Sequence, residues 1–330
     1  MDRLKLKINA SVATFGTFSE RYVPGGYYDQ MDFEKKLDII SSIEGIEGMG
    51  VGYPGHPLIN NPQKLKKKFS DYGLVAAVIE PDIYTDRKWK NGALSTNEKK
   101  IRDEAIKIVK ETVDIAAELD AHSINLWPAH DGFDYVFQSD YISSYNYLLE
   151  SIEDIASHNP GVKISVEYKQ RDPRAKSYIE DIGKLFYIIN SLKSQNVGGS
   201  LDLGHSLFAQ ERPAESLALL GRHNKLYQIH LNDNYRDADP DLVFGSINFW
   251  ETLEMFYWLA KFKFTGWLSI DTFSPRNDSE KMLRLAVKFI KDYENMANRL
   301  LEHKEVIDVN LKNNNFVDNM TLIRDVIFEK

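Results

Sequence analysis

Cysteine is absent from the 330 residues, which excludes disulfide staples and leaves no thiolates for a structural zinc site. A chain of this length buries enough core to need no staples, and a cysteine-free composition fits a reducing cytoplasm, so cytoplasmic localisation is expected. No run of eighteen apolar residues occurs, so nothing is expected to span a membrane. The first residues, MDRLKLKINASVATF, alternate as a strand does and lack the apolar run and cleavage site of a signal peptide. Positive charge is in deficit, with 41 basic against 49 acidic side chains and a net charge of −8. The basic cluster KLKKKF at 64–69 has the spacing of a solvated helix face. No nucleic-acid partner is therefore expected. A glycine-rich phosphate turn is missing too, since ATFGTFSER after the first strand-like run does not fit G-x-G-x-x-G.

What is present is an alternation. Strand-like runs lie at 5–15, 46–53, 73–81, 121–129, 162–169, 197–205, 225–233 and 266–274. Amphipathic stretches lie between and after them at 32–43, 62–71, 97–120, 140–157, 175–193, 212–220, 247–261 and 278–300. Strand then helix, eight times without a linker, predicts an α/β fold of the (β/α)8 TIM barrel type over residues 1–300. Residues 301–330 are expected to form a C-terminal extension, with a loop at the polar LKNNNF segment and one more short helix.

In such barrels chemistry gathers at the C-terminal ends of the strands. The fifth strand-like run, VKISVEYK, ends on Glu167 and Lys169, which share a face because strand side chains repeat every two residues. The sixth carries Asp202 and His205, the seventh His230, and the eighth Asp271. Singly, each reads as a helix cap or a satisfied core residue. Together at one mouth, Glu167, Asp202, His230 and Asp271 would bury uncompensated charge unless a divalent cation joins them. Three carboxylates and one imidazole favour Mn2+, with Co2+ or Mg2+ as alternatives. After the seventh strand, NDNYRDADPDLVFGS reads by itself as a polar turn. Beside the sixth strand, however, Asp239 and Asp241 can chelate a second ion with His205, Asp202 bridging both, giving up to two metals per subunit.

Several segments, in order, resemble the xylose isomerase-like barrels, a group of metal-dependent sugar isomerases and epimerases. They are KNGALSTNEKKIRDEA (90–105), LWPAHDG (126–132), VEYKQRDPR (166–174), DLGH (202–205), IHLND (229–233), DPDLVFGS (239–246) and DTFSPR (271–276). The resemblance covers most of residues 5–300, and with His230 and Asp202 in the ligand set it is closer to the L-rhamnose isomerase type. It implies that Glu167, Asp202, His230 and Asp271 hold the first metal, and that Asp202, His205, Asp239 and Asp241 hold the second. It further implies that Lys169 hydrogen-bonds the carbonyl oxygen of an opened sugar and that Trp127 walls the site against water. Glu167, Lys169 and Asp241 are the expected catalytic residues, with His205 also near the substrate.

Two departures stand out. The ring-opening histidine near the end of the second strand has no counterpart. GVGYPGH places Pro54 there and His56 two residues later, so His56 is the candidate substitute. Leu94 replaces an aromatic ring of the xylose isomerase pocket, which points away from xylose.

The activity implied is aldose–ketose isomerisation of a monosaccharide by a metal-assisted 1,2-hydride shift in a homo-oligomer. The alternative is a ketose 3-epimerase with one metal, for which Arg236, six residues after His230, has a matching spacing. An abasic-site endonuclease is disfavoured by the net charge of −8, and a non-catalytic sugar sensor by the complete ligand set.

Overall fold

The computed structural model describes residues 3–56, 58–172, 175–273 and 275–328. Pro173 and Arg174 of the fifth-strand motif and Ser274 of the eighth lie outside them.

The eight strand-like runs form eight parallel strands: Lys7–Ser11, Ile46–Tyr53, Val75–Pro81, Ser123–Leu126, Ile164–Glu167, Val197–Asp202, Leu226–Leu231 and Trp267–Ile270. They close into a barrel in sequence order, the first strand pairing with the eighth from Lys7 opposite Trp267 to Ala10 opposite Ile270. Closure leaves no sheet edge exposed. The fourth and fifth strands are buried at every position, because the barrel interior packs one face and the helix ring the other.

Helices pack outside, among them Lys99–Glu118, Tyr141–His158, Phe249–Phe262 and Ser279–Glu302. Local chemistry fixes their starts. Asp140 and Asp278 accept hydrogen bonds from backbone N–H groups of the following turn, as N-caps do. The stretch expected to be helical over 175–193 begins instead at Ile182. Lys176–Ser177 pairs antiparallel with Gly132–Phe133 as a small sheet above the barrel mouth, and Asp181 caps the shortened helix through Lys184 N–H. Beyond the eighth barrel helix lie two more, Lys304–Lys312 and Phe316–Phe328, where one had been expected. No helix among the described residues is long and apolar enough to cross a membrane.

Candidate metal centre and substrate cavity

The strand ends deliver the acidic residues to one place. Glu167 and Asp202 are the last residues of their strands, His230 is next to last in its strand, and Asp271 directly follows the eighth. Each contributes a ligand atom, and these atoms all lie within 4.8 Å of one another. Among the described residues this is the one such group.

The surrounding hydrogen bonds aim these side chains. Asn125 donates to Glu167 Oε2 at 2.6 Å, and Asn232 donates to Asp202 Oδ2 at 2.9 Å. Asp202 also accepts from His205 N–H at 2.7 Å, capping the helical turn Leu203–Phe208. His230 Nδ1 stands 3.4 Å from both Glu167 Oε2 and Asp271 Oδ2, is buried, and has no hydrogen-bond partner. A buried ring nitrogen set between two carboxylates is a place that either a proton or a metal ion can fill. These residues fit a divalent cation with oxygen and imidazole donors.

The same crowding controls protonation of the protein groups. Burial raises Glu167, but His230 and His205 outweigh it and bring its carboxyl down to about 2. Burial pushes Asp202 up to about 7, since it lies among other carboxylates. For His230, burial favours the neutral ring, yet Glu167 and Asp271 lift it to about 10. The imidazolium thus supplies positive charge that a metal ion supplies when bound.

A cavity of about 240 Å3 opens on this group, lined by Glu167, His230 and Asp271 together with Lys169, Asp241 and Trp127. The Lys169 ammonium sits 2.7 Å from Asp172 Oδ2, 2.9 Å from Asp239 Oδ2 and 5.2 Å from the Trp127 ring centroid. Burial disfavours its charge, but Asp239, Asp172 and Asp241 hold its pKa above the ordinary lysine value. His205 also reaches the cavity, with Nε2 at 3.2 Å from Asp239 Oδ2 and Nδ1 at 2.9 Å from the Tyr168 carbonyl oxygen.

Three residues expected at the substrate lie elsewhere. His56 is buried away from the cavity wall, edge-on to Phe33 at 4.6 Å and Phe69 at 6.5 Å, and its Nδ1 accepts from Leu58 N–H. Burial lowers it to about 4. Its two ring neighbours come from the helices Phe33–Ser41 and Pro62–Asp71, outside the barrel. Leu94 is fully buried, its N–H donating to Asp131 and its carbonyl oxygen accepting from Ser151. The Arg236 guanidinium points away from the cavity, donating to the Leu207 and Glu211 carbonyl oxygens and pairing with Glu251.

The cavity also holds groups the sequence reading passed over. Glu80, near the end of the third strand, is pushed up to about 7 by burial. Tyr84, Asn125, Asp172 and Phe273 also line the cavity. Glu80 and Asn125, each next to last in its strand as His230 is, pass the same strand-end test; Tyr84, Asp172 and Phe273 sit in loops, where no pattern marks them.

The profile of the xylose isomerase-like TIM barrel family matches residues 38–293. The chain belongs to that family. Xylose isomerase of Thermus thermophilus is 25% identical over 192 residues, 56% of this chain and 50% of that protein. The chain thus spans about half the length of the curated relatives it matches. Among solved structures, a D-tagatose 3-epimerase-like protein superposes with a TM-score of 0.70 at 18% identity, covering 90% of this chain and 100% of that one. An L-ribulose 3-epimerase superposes with a TM-score of 0.65 at 16% identity, covering 90% and 97%. At such identities these two likenesses establish the shared fold.

Proposed function

We propose that the protein is a divalent-metal-dependent aldose–ketose isomerase moving hydrogen between C1 and C2 of an opened monosaccharide. The carrying observation is Lys169, a fixed ammonium in the same cavity as the four-ligand group.

Interconverting an aldehyde and a ketone builds negative charge on the carbonyl oxygen. A donor already in place stabilises that charge more than it stabilises the ground state. Lys169, held by Asp172 and Asp239, is that donor. Trp127, Tyr84 and Phe273 line the cavity and restrict water, which favours direct hydride transfer over proton exchange with solvent. Asp241, also in the wall, handles the hydroxyl proton beside the migrating hydrogen. With His56 outside the cavity, opening the ring falls to groups within the wall. Glu167, Asp202, His230 and Asp271 would hold the first ion, with Mn2+ favoured over Co2+ or Mg2+, in the L-rhamnose isomerase manner. His205, Asp239, Asp241 and Asp202 would hold a second. A bound divalent cation supplies Lewis-acid stabilisation of the sugar oxygens.

A second reading, a ketose 3-epimerase, is favoured by Glu167 and Asp271 facing one cavity, two carboxylates able to shuttle a proton at C3. It also draws support from the two superposed structures described as epimerases. A panel of aldoses and ketoses with added Mn2+, Co2+ or Mg2+ in deuterated water separates the two. Isomerisation without deuterium at C1 or C2 supports the hydride shift. Deuterium at those carbons overturns it, and inversion with deuterium at C3 establishes the epimerase.

A further inference from the structure

The metal-facing cavity does not end at the barrel mouth. Tyr84 and Asp172, in its wall, also line a second space of about 430 Å3. That space shares Lys90, His130 and Asp134 with a third, again of about 430 Å3. Through these shared wall residues the three spaces adjoin one another across the loops after the third, fourth and fifth strands. The inner chamber, about 240 Å3, is below the roughly 300 Å3 at which pockets for drug-sized ligands begin, a size suited to one sugar. The outer chambers far exceed what that sugar needs.

The outer wall is built rather than incidental. Asp131 is buried and accepts from the N–H groups of Ala93, Leu94 and Ser95, fastening the third-strand loop to the fourth. Tyr178 N–H donates to the Asp131 carbonyl oxygen at 2.9 Å, fastening the fifth-strand loop to the same residue. His130, in the wall of both the middle and outermost chambers, has Nε2 3.1 Å from the carbonyl oxygen of Tyr84, which also lines the inner one. In the outermost chamber, the Tyr147 ring is backed by the Arg102 guanidinium at 3.9 Å, and Phe133 and Tyr178 pack at 5.8 Å.

The chemistry of this wall selects its occupant. Aromatic rings interspersed with hydroxyls and amides, here Ser95, Ser143, Asn91 and Asn97, suit the alternating apolar and polar surface of a pyranose. A phosphate tail is disfavoured. Among the described residues, the middle chamber sets two cations, Arg87 and Lys90, against three carboxylates, Asp86, Asp134 and Asp172, a balance that gives an anion no net attraction from them.

We infer that the substrate is a reducing disaccharide or longer glycoside, with its reducing sugar in the metal-facing chamber and a second, neutral sugar ring in the outer cleft against Tyr147. This rests on the isomerase–epimerase reading for the inner chamber. The anomeric carbon must be free for the ring to open and C1 and C2 must react, while epimerisation needs C3. The link to the second ring therefore leaves from O4 or O6.

The test is calorimetric titration of the Mn2+-loaded protein with unreactive alditols: glucitol, its 4-O-linked glycosides maltitol, cellobiitol and lactitol, its 6-O-linked glycosides isomaltitol and melibiitol, and glucitol 6-phosphate. The expected result is that at least one glycoside binds about tenfold or more tightly than glucitol, a gain of about 1.4 kcal/mol. Tyr147→Ala should erase that gain and Asn97→Ala should reduce it, both leaving glucitol unchanged. Glycosides no better than glucitol, a larger gain for the phosphate, or a gain indifferent to both variants overturns the inference. Turnover of the parent sugars separates this from the functional reading. Free sugars converted without any glycoside gain leave that reading standing and sink the subsite. A Tyr147-dependent gain with no sugar or disaccharide converted keeps the subsite and sinks the reading.

Discussion

Gln228 places its side-chain amide 2.9 Å from Nε2 of His230, on the far side of the ring from the carboxylates. The amide is itself held, 2.8 Å from Ser269 Oγ, which also receives a hydrogen bond from Asn9. The amide nitrogen of Gln228 holds the Nε2 edge of the ring, so that Nδ1 faces the carboxylates of Glu167 and Asp271. Such outer contacts orient a histidine for metal binding. Gln228→Leu should therefore weaken Mn2+ binding about 10- to 100-fold with the fold intact. Competition titration against a chelating dye, alongside circular dichroism, checks this.

Lys169→Ala should lower turnover of the best sugar by about 10²- to 10³-fold, the range for loss of one fixed donor to a developing oxyanion. The ion at the four-residue group should be retained, because Lys169 pairs with Asp172 and Asp239 and with none of Glu167, Asp202, His230 and Asp271. Steady-state kinetics and metal analysis of the same preparation decide it. Loss of metal together with turnover would refute the assigned role.

His56 offers a prediction about acid stability. The folded protein holds it neutral down to about pH 4 because it is buried, whereas in an unfolded chain it takes up a proton near pH 6.5. Its contribution is fully favourable above about 6.5 and is lost as the pH falls toward 4. Screening by nearby solvent leaves an effect of about 1–3 kcal/mol. His56→Phe should flatten that slope in urea unfolding measured from pH 7.5 to 4.5. It should leave turnover at neutral pH unchanged, since the ring lies outside the cavity.

Asp131→Ala removes the acceptor shared by three backbone N–H groups and the Ser95 hydroxyl. Leaving buried donors unpaired costs about 1–3 kcal/mol, so the expected loss is about 3 kcal/mol in urea unfolding. Hydrogen exchange should quicken at residues 93–95, whose N–H groups lose the carboxylate, and remain unchanged in the barrel strands.

Much of this was legible in the chain itself. The barrel came from apolar runs alternating with amphipathic ones. The four-residue group is legible in what each strand ends on, because the barrel architecture brings Glu167, Asp202, His230 and Asp271, at or beside their strand ends, to one mouth. His56, Leu94 and Arg236 were misplaced for one shared reason. Each lies in a loop whose path depends on a cis proline, a buried acceptor or a positive φ at Arg236 itself, none of which has a periodic signature. The outer cleft was invisible likewise, as it arises from loops that meet only through tertiary contacts such as Asp131 to Leu94.

The central claim is that the four strand-end residues form a divalent-metal site. Its most direct test is titration of the metal-stripped protein with Mn2+, followed by the free-ion electron paramagnetic resonance signal. Saturable binding at one or two ions per chain, strongly weakened by His230→Ala and by Glu167→Gln, is the predicted result. A folded protein whose Mn2+ signal stays that of the free ion, or whose binding is indifferent to both substitutions, would contradict the account.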